Sequence, residues 1–183
     1  MLWIGLILFF GVHLVPSVPG AREGLIGRLG AGPYKGLFAL VSIAGLVIAG
    51  FGYADMDYRE LWERPVWAPH LAMTVMPFVF VLWVAAEMKG HIRMKLKHPM
   101  VLGMLLWALV HLLNNGDLGS LYLFGAFALY SVLSIVSANR RGKVPDYPSP
   151  QGKFDVIAIV VGLALYTGVL FAHEFVLGVS PGI

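Results

Sequence analysis

The sequence contains no cysteine and few charged residues. The absence of cysteine excludes disulfide bonds, thiolate metal sites and a thiol nucleophile. Charged residues make up 13% of the chain and hydrophobic residues 58%, which is far from the balance of a soluble globular protein. We therefore expect an integral membrane protein with no separate soluble domain.

The hydrophobic residues fall into six stretches that contain no Asp, Glu, Lys or Arg. Each is close to the roughly 20 apolar residues that cross a bilayer core as a helix. We predict one all-α domain over residues 1–183, a polytopic membrane bundle of six transmembrane helices. Glycine and alanine in the second stretch predict a close helix-packing seam there. The six stretches are Met1–Ala21, Gly36–Ala54, Pro65–Ala86, His98–Gly116, Leu118–Asn139 and Val156–His173, and the small residues are Gly45, Ala49, Gly50 and Gly52.

The loops between these stretches differ strongly in charge. Loops one, three and five hold 11 of the 13 Lys and Arg residues, whereas Arg59 and Arg64 in loop two face four acidic neighbours. Because cytoplasmic loops carry an excess of Lys and Arg, we predict both termini outside and the basic loops in the cytoplasm. The net charge of +3 is then explained by topology and lipid headgroups, and no nucleic-acid partner is expected.

Two of the six histidines, His13 and His111, lie deep inside apolar stretches rather than near their ends. At 1.5 Å per residue, His13 lies roughly 18 Å below the outer surface and His111 roughly 20 Å above the inner one. Both positions fall inside a hydrocarbon core about 30 Å thick. Neither histidine has a carboxylate in its own stretch, and an ionisable residue at this depth indicates a functional site.

Neutral imidazole is a good ligand for iron, zinc and copper. The two estimated depths differ by roughly 8 Å, which a flat ligand tolerates better than a single ion. Zinc requires more protein donors than this layer offers, whereas haem supplies four equatorial nitrogens of its own. Spacing alone leaves haem ligation and simple hydrogen bonding to backbone or water equally open.

The remaining histidines have simpler interpretations. His91 lies in a basic loop and is expected to be solvated, while His70 and His173 lie near outer helix ends, where snorkelling explains them. His98 starts the fourth stretch beside Lys97. It either caps that helix or contacts a phosphate or propionate group at the free backbone N–H groups, and both interpretations stay open.

Two segments resemble the NnrU family: GVHLVPSVPGAR at Gly11–Arg22, followed by LGAGPYKGLFAL, and KHPMVLGMLLWALVHLLNNGD at Lys97–Asp117. With their connections they cover about half of the chain. The family is associated with denitrifying bacteria and with nitrite and nitric oxide reductase systems. The resemblance implies a multi-pass protein of the bacterial inner membrane, with periplasmic termini, that supports nitrogen-oxide respiration by sensing, electron transfer or assembly.

The NnrU family is in turn similar to 15-cis-zeta-carotene isomerase, a membrane protein that holds haem b. Aligned on its motifs, the axial histidines of the isomerase fall on His13 and His111. This similarity implies haem b as cofactor with those two residues as iron ligands. Arg22, Arg28 and His98 are then candidates for contacts with the haem propionates, and Trp107, one turn before His111, for packing against the macrocycle.

One departure from the isomerase affects the enzymatic alternative. The isomerase has a cysteine three residues before its second histidine, and this chain has Ala108 there. Exchange of the iron ligand by a thiolate is therefore impossible, which puts isomerase activity in doubt.

Two alternatives to the nitrogen-oxide role are haem-dependent cis–trans isomerisation of a carotenoid or similar polyene lipid, and an assembly factor without cofactor. A third alternative is a methyltransferase-like protein using S-adenosylmethionine, which the segment KHPMVLG weakly resembles. The expected partners are the bilayer, haem, and a polyene lipid or a respiratory redox partner.

Overall fold

The computed structural model describes residues 1–180, without the side chain of Leu177. Within this range the chain is helical, as predicted, and its β-structure is limited to an isolated bridge between Glu60 and Asp117. The helices are α1 (Leu2–Leu14), α2 (Ala21–Leu29), α3 (Ala31–Ala54), α4 (Ala68–Ala86), α5 (His91–Leu96), α6 (Pro99–Asn115), α7 (Leu118–Arg140) and α8 (Gly152–Leu177), and a 3-10 helix, Val15–Ser17, follows α1.

Four of the described helices, α3, α4, α7 and α8, are long and apolar enough to cross a membrane. A fifth span results if α1, the 3-10 helix and α2 count together as one broken span, although they bend by 101°. Helix α6 has 17 residues and a length of about 25 Å, slightly short of a core about 30 Å thick. A multi-pass helical membrane protein is thus confirmed, and the six spans stay a prediction.

The helix boundaries follow the proline and glycine signals in the sequence. Pro16 lies in the 3-10 helix that follows α1, and α1 ends at Leu14, well inside the charge-free stretch that continues to Ala21. His98 and Pro99 start α6, because proline is tolerated where no helical N–H bond is needed. Gly116 ends the same helix with φ of 68°, a left-handed conformation that favours glycine.

The described chain divides into two compact units. The first unit contains residues 1–61 and 117–126, and the second contains residues 62–116 and the chain from 127 onwards. The boundary between them falls within α7. The prediction of a single domain is not tested by this division and stays a prediction.

In the first unit, α1 packs closely along α3. A Cβ atom added at Gly45 would lie 2.7 Å from the backbone nitrogen of Phe9, and one added at Gly52 would meet the backbone of Leu2. The predicted seam is therefore real at these glycines, whereas Gly50 faces open space. This close approach places the backbone of α1, including the turn that carries His13, directly against α3.

In the second unit, α4 lies in contact with both α6 and α8. The indole of Trp83 covers Gly103 of α6, and a Cβ atom at Gly162 of α8 would lie 2.7 Å from Cα of Val81. Val79 is completely buried in the same region. Small residues again allow close packing, as is usual where lipid offers no hydrophobic driving force between helices.

We predict that Gly45→Ala destabilises the protein and that Gly50→Ala does not. Replacing glycine by alanine within a helix ordinarily stabilises it by up to about 1 kcal/mol. At Gly45 the added methyl group meets backbone, and overpacking of this kind costs about 1–3 kcal/mol. Thermal unfolding in detergent should show a lower midpoint for Gly45→Ala only. An unchanged or raised midpoint for this variant would contradict the proposed seam.

Candidate functional site

His13 lies between two aromatic rings of the first unit. Its ring centroid is 4.2 Å from that of Phe9 on α1 and 4.9 Å from that of Phe38 on α3. Its Nδ1 atom is 2.7 Å from the carbonyl oxygen of Phe9. A carbonyl oxygen can only accept, so Nδ1 carries the hydrogen and donates it. In the neutral imidazole the lone pair then belongs to Nε2.

His111 shows the same arrangement in the second unit. Its Nδ1 donates to the carbonyl oxygen of Trp107 over 2.8 Å, and the two ring centroids are 5.1 Å apart. Trp107 and His111 therefore lie on the same face of α6, whereas packing of Trp107 against a macrocycle stays a prediction. Trp107 in turn packs edge-on against Phe127 at 5.3 Å with an interplanar angle of 87°. The lone pair of the neutral His111 ring again belongs to Nε2.

The two histidines thus share one five-residue pattern, at residues 9–13 and 107–111. It begins with an aromatic residue, continues with two residues of varying type, and ends with valine and histidine. Helical geometry brings each imidazole back over the preceding turn, where the carbonyl of residue i−4 accepts a second hydrogen bond. This bond satisfies Nδ1–H within the protein and fixes the ring tautomer. An Nδ1–H bond to a backbone carbonyl is also a common way to orient an imidazole that binds metal through Nε2.

Each histidine, taken by itself, is suited to haem iron rather than to a bare metal ion. Among the residues that the structure describes, no group of three or more His, Asp or Glu side chains is close enough to hold an ion. A structural zinc site requires four protein ligands and a catalytic one usually three. Haem iron requires only axial ligands from the protein, and neutral imidazole with its lone pair on Nε2 is suited to that position.

Arg22 and Arg28 both lie on α2, near its two ends, and both are exposed. Arg22 approaches Glu23 at 4.0 Å, a surface contact that contributes little to stability. Six residues correspond to about one and two-thirds helical turns at 3.6 residues per turn, so the two side chains start from different sides of α2. The structure therefore does not bring them to one point, and their contact with propionates stays a prediction.

His98 does not cap α6 with its side chain. Its Nε2–H donates instead to Oδ1 of Asn139 over 3.0 Å. It lines a cleft of about 330 Å³ together with Lys97 and Lys143, which makes this cleft basic. Thirteen residues, or about 20 Å of helix, separate His98 from His111. The structure therefore groups His98 with lysines rather than with the intramembrane histidine.

His91 is not simply a solvated loop residue, as the sequence suggested. It starts the short helix α5 and remains half-exposed, but its Nδ1 lies 2.8 Å from Oδ2 of Asp155. The same carboxylate accepts the backbone N–H groups of His91 and Ile92 at 2.9 Å each. Asp155 therefore holds α5 against α8. The sequence places an acidic residue, Asp155, in the first turn of α8, but no local pattern pairs it with His91.

A cavity of about 140 Å³ adjoins His111 inside the second unit, among α4, α6 and α8. His173 lines it, and its Nδ1 donates to the carbonyl oxygen of Val179 over 2.7 Å. Tyr166 and His173 are seven residues apart, about two helical turns, and both reach this cavity from α8. The sequence analysis did not predict that these two polar residues of α8 share a cavity. It also did not predict that Asn114 and Asn115 of α6 line the same cavity.

Comparison with protein families gives one match. The model of the family described as NnrU protein matches residues 1–181, which is nearly the whole chain. The comparison with curated proteins gave no match, and neither did the comparison with solved structures.

Proposed function

The chain belongs to the NnrU family, and on that premise we propose that it is a haem b-binding protein of the bacterial inner membrane that supports nitrogen-oxide respiration. The apolar helices support a bilayer environment, and the family membership is consistent with a role connected with nitrogen oxides. In this proposal the protein supports respiration by sensing, by electron transfer or by assembly of the respiratory system.

The observation that carries the proposal is the matched pair of histidines. His13 and His111 each donate Nδ1–H to the carbonyl of residue i−4 and each follow an aromatic residue by one turn. In this proposal both residues would hold haem iron through Nε2, with Phe9 and Trp107 as neighbouring rings. Bound haem would supply a one-electron redox centre. With both protein ligands being imidazoles, the chemistry it would supply is electron transfer or ligand-displacement sensing rather than oxygen activation.

The isomerase alternative has weaker support. Its characteristic cysteine is replaced by Ala108, which is completely buried (0% exposed) in α6. A methyl group cannot exchange with imidazole as an iron ligand. The proposed imidazole ligands of the iron therefore cannot be exchanged for a thiolate. Fixed ligands suit a stable electron carrier or sensor better than a redox-switched isomerase.

We predict that the purified protein from haem-replete cells shows two sharp visible bands after reduction, and that pyridine haemochrome analysis identifies haem b. His13→Ala and His111→Ala should each lose these bands, because each removes one axial nitrogen. His70→Ala is the matched control, since His70 is exposed near the start of α4. A colourless wild-type protein, or bands that survive both ligand substitutions, would refute the assignment.

We also propose that both termini are periplasmic and that the basic loops are cytoplasmic. The absence of cysteine makes single-cysteine labelling free of background. In intact spheroplasts, a membrane-impermeant maleimide should label Asp57→Cys in loop two. It should label Lys143→Cys in loop five only after permeabilisation. Labelling in the opposite order would show that the topology is inverted.

A further inference from the structure

Several polar side chains in the wall of the cavity beside His111 offer hydrogen-bond acceptors. Asn114 donates both of its amide hydrogens, to the carbonyl oxygens of Ala68 and Val110 over 3.1 and 2.8 Å. These partners can only accept, so the orientation of the amide is fixed. The atom that Asn114 offers to a ligand is therefore its Oδ1, a hydrogen-bond acceptor.

Two further cavity residues offer acceptors for the same reason. Asn115 donates to the carbonyl oxygen of His111 over 2.7 Å, which also fixes its amide. His173 Nδ1 donates to the carbonyl oxygen of Val179 over 2.7 Å, so Nε2 of the neutral ring is an acceptor. Asn115 keeps one amide hydrogen. Among the other lining residues, the hydroxyl of Tyr166 is directed at Met73 Sδ.

The rest of the lining is largely apolar and includes Met76, Phe80 and Leu170. A volume of about 140 Å³ is close to that of an engineered apolar cavity of about 150 Å³ that binds benzene. It therefore has room for one six-membered ring. Val169 borders the cavity and is 43% exposed on α8, where a membrane protein contacts lipid. An alkyl chain attached to the ring can leave the cavity on this side.

We propose that this cavity binds the head group of a lipid-borne hydroquinone, a single ring with O–H donors and an apolar tail. The ring fits the volume and the O–H groups complement the acceptors of Asn114, Asn115 and His173. A pure hydrocarbon such as a polyene leaves these acceptors without hydrogen bonds, which is costly in an apolar setting. Arg64 is the lining cation, and it is exposed.

The binding of a hydroquinone does not depend on the proposed function, but one consequence of it does. Because His111 is also part of the cavity wall, a bound hydroquinone would lie beside one of the assigned haem ligands. The proposed electron carrier would then have its reductant at the same site. The binding itself is argued from the cavity alone and does not require haem.

The test uses the full-length protein in detergent and a matched pair of ligands. The first is a decyl-substituted benzohydroquinone, and the second is its dimethyl ether, which keeps the ring and tail but has no O–H donor. Isothermal titration, with empty micelles subtracted, should show that wild-type protein binds the hydroquinone about tenfold more tightly or better, as expected for one hydrogen bond or more. Equal affinities for the two compounds would overturn the inference.

Variants then locate the site. Asn115→Leu and His173→Phe should each weaken hydroquinone binding by about tenfold, because each removes one acceptor. Met76→Trp should abolish binding by filling the cavity. Phe78→Trp on α4 and Thr167→Val on α8 change exposed side chains. Both variants should bind the hydroquinone as wild type does. Undiminished binding by Met76→Trp would overturn the inference.

His13→Ala separates the two proposals, since His13 does not line this cavity. This variant should lose the visible haem bands and keep its preference for hydroquinone over the ether. If wild-type protein shows the preference but no haem bands, the proposed function fails alone. If it shows the bands without the preference, the hydroquinone site fails alone.

Discussion

A polar N–H group inside a bilayer must find its hydrogen-bond partner within the protein, and this constraint determines the candidate site. His13 and His111 meet it in the same way, through the carbonyl of the residue one turn earlier. The bond settles which nitrogen carries the proton, and it holds each ring against an aromatic neighbour. The acceptor character of Nε2 follows from that single local interaction, and the proposal that these residues are iron ligands is built on it.

The same constraint shapes the cavity beside His111. Several of its polar side chains have already used a donor on a backbone carbonyl, as with Asn115 on His111 and His173 on Val179. What is left facing a ligand is then mainly acceptor atoms. Helix packing supports this arrangement, because Gly103 and Gly162 let α6 and α8 approach α4 closely enough to enclose a small space.

The sequence predicted the helical membrane architecture well because apolar length and proline position are strong local signals. The start of α6 at His98–Pro99 and its end at Gly116 followed directly from them. The depth of His13 and His111 in the bilayer stays a prediction from helix rise. These features depend on residues close together in the chain, which is why the sequence alone is sufficient for them.

Features that depend on tertiary contact were not predicted. The bond between His91 and Asp155 joins residues 64 positions apart, and no local pattern indicates it. His173 was assigned to snorkelling because its helix position near the outer end allowed that, whereas the cavity exists only once three helices meet. The basic cleft at His98 likewise requires Lys143 from a distant loop. The number of spans also depends on the 101° bend after α1, which is a property of three dimensions.

Electron paramagnetic resonance of the oxidised protein tests the central claim most directly, because the signal reports the axial ligands of the iron. The account predicts the low-spin ferric spectrum of a haem with two imidazole ligands in the wild type. It further predicts conversion to a high-spin spectrum, or loss of the haem, when either His13 or His111 is replaced. A wild-type spectrum that is high-spin, or one that is unchanged by both substitutions, would contradict it.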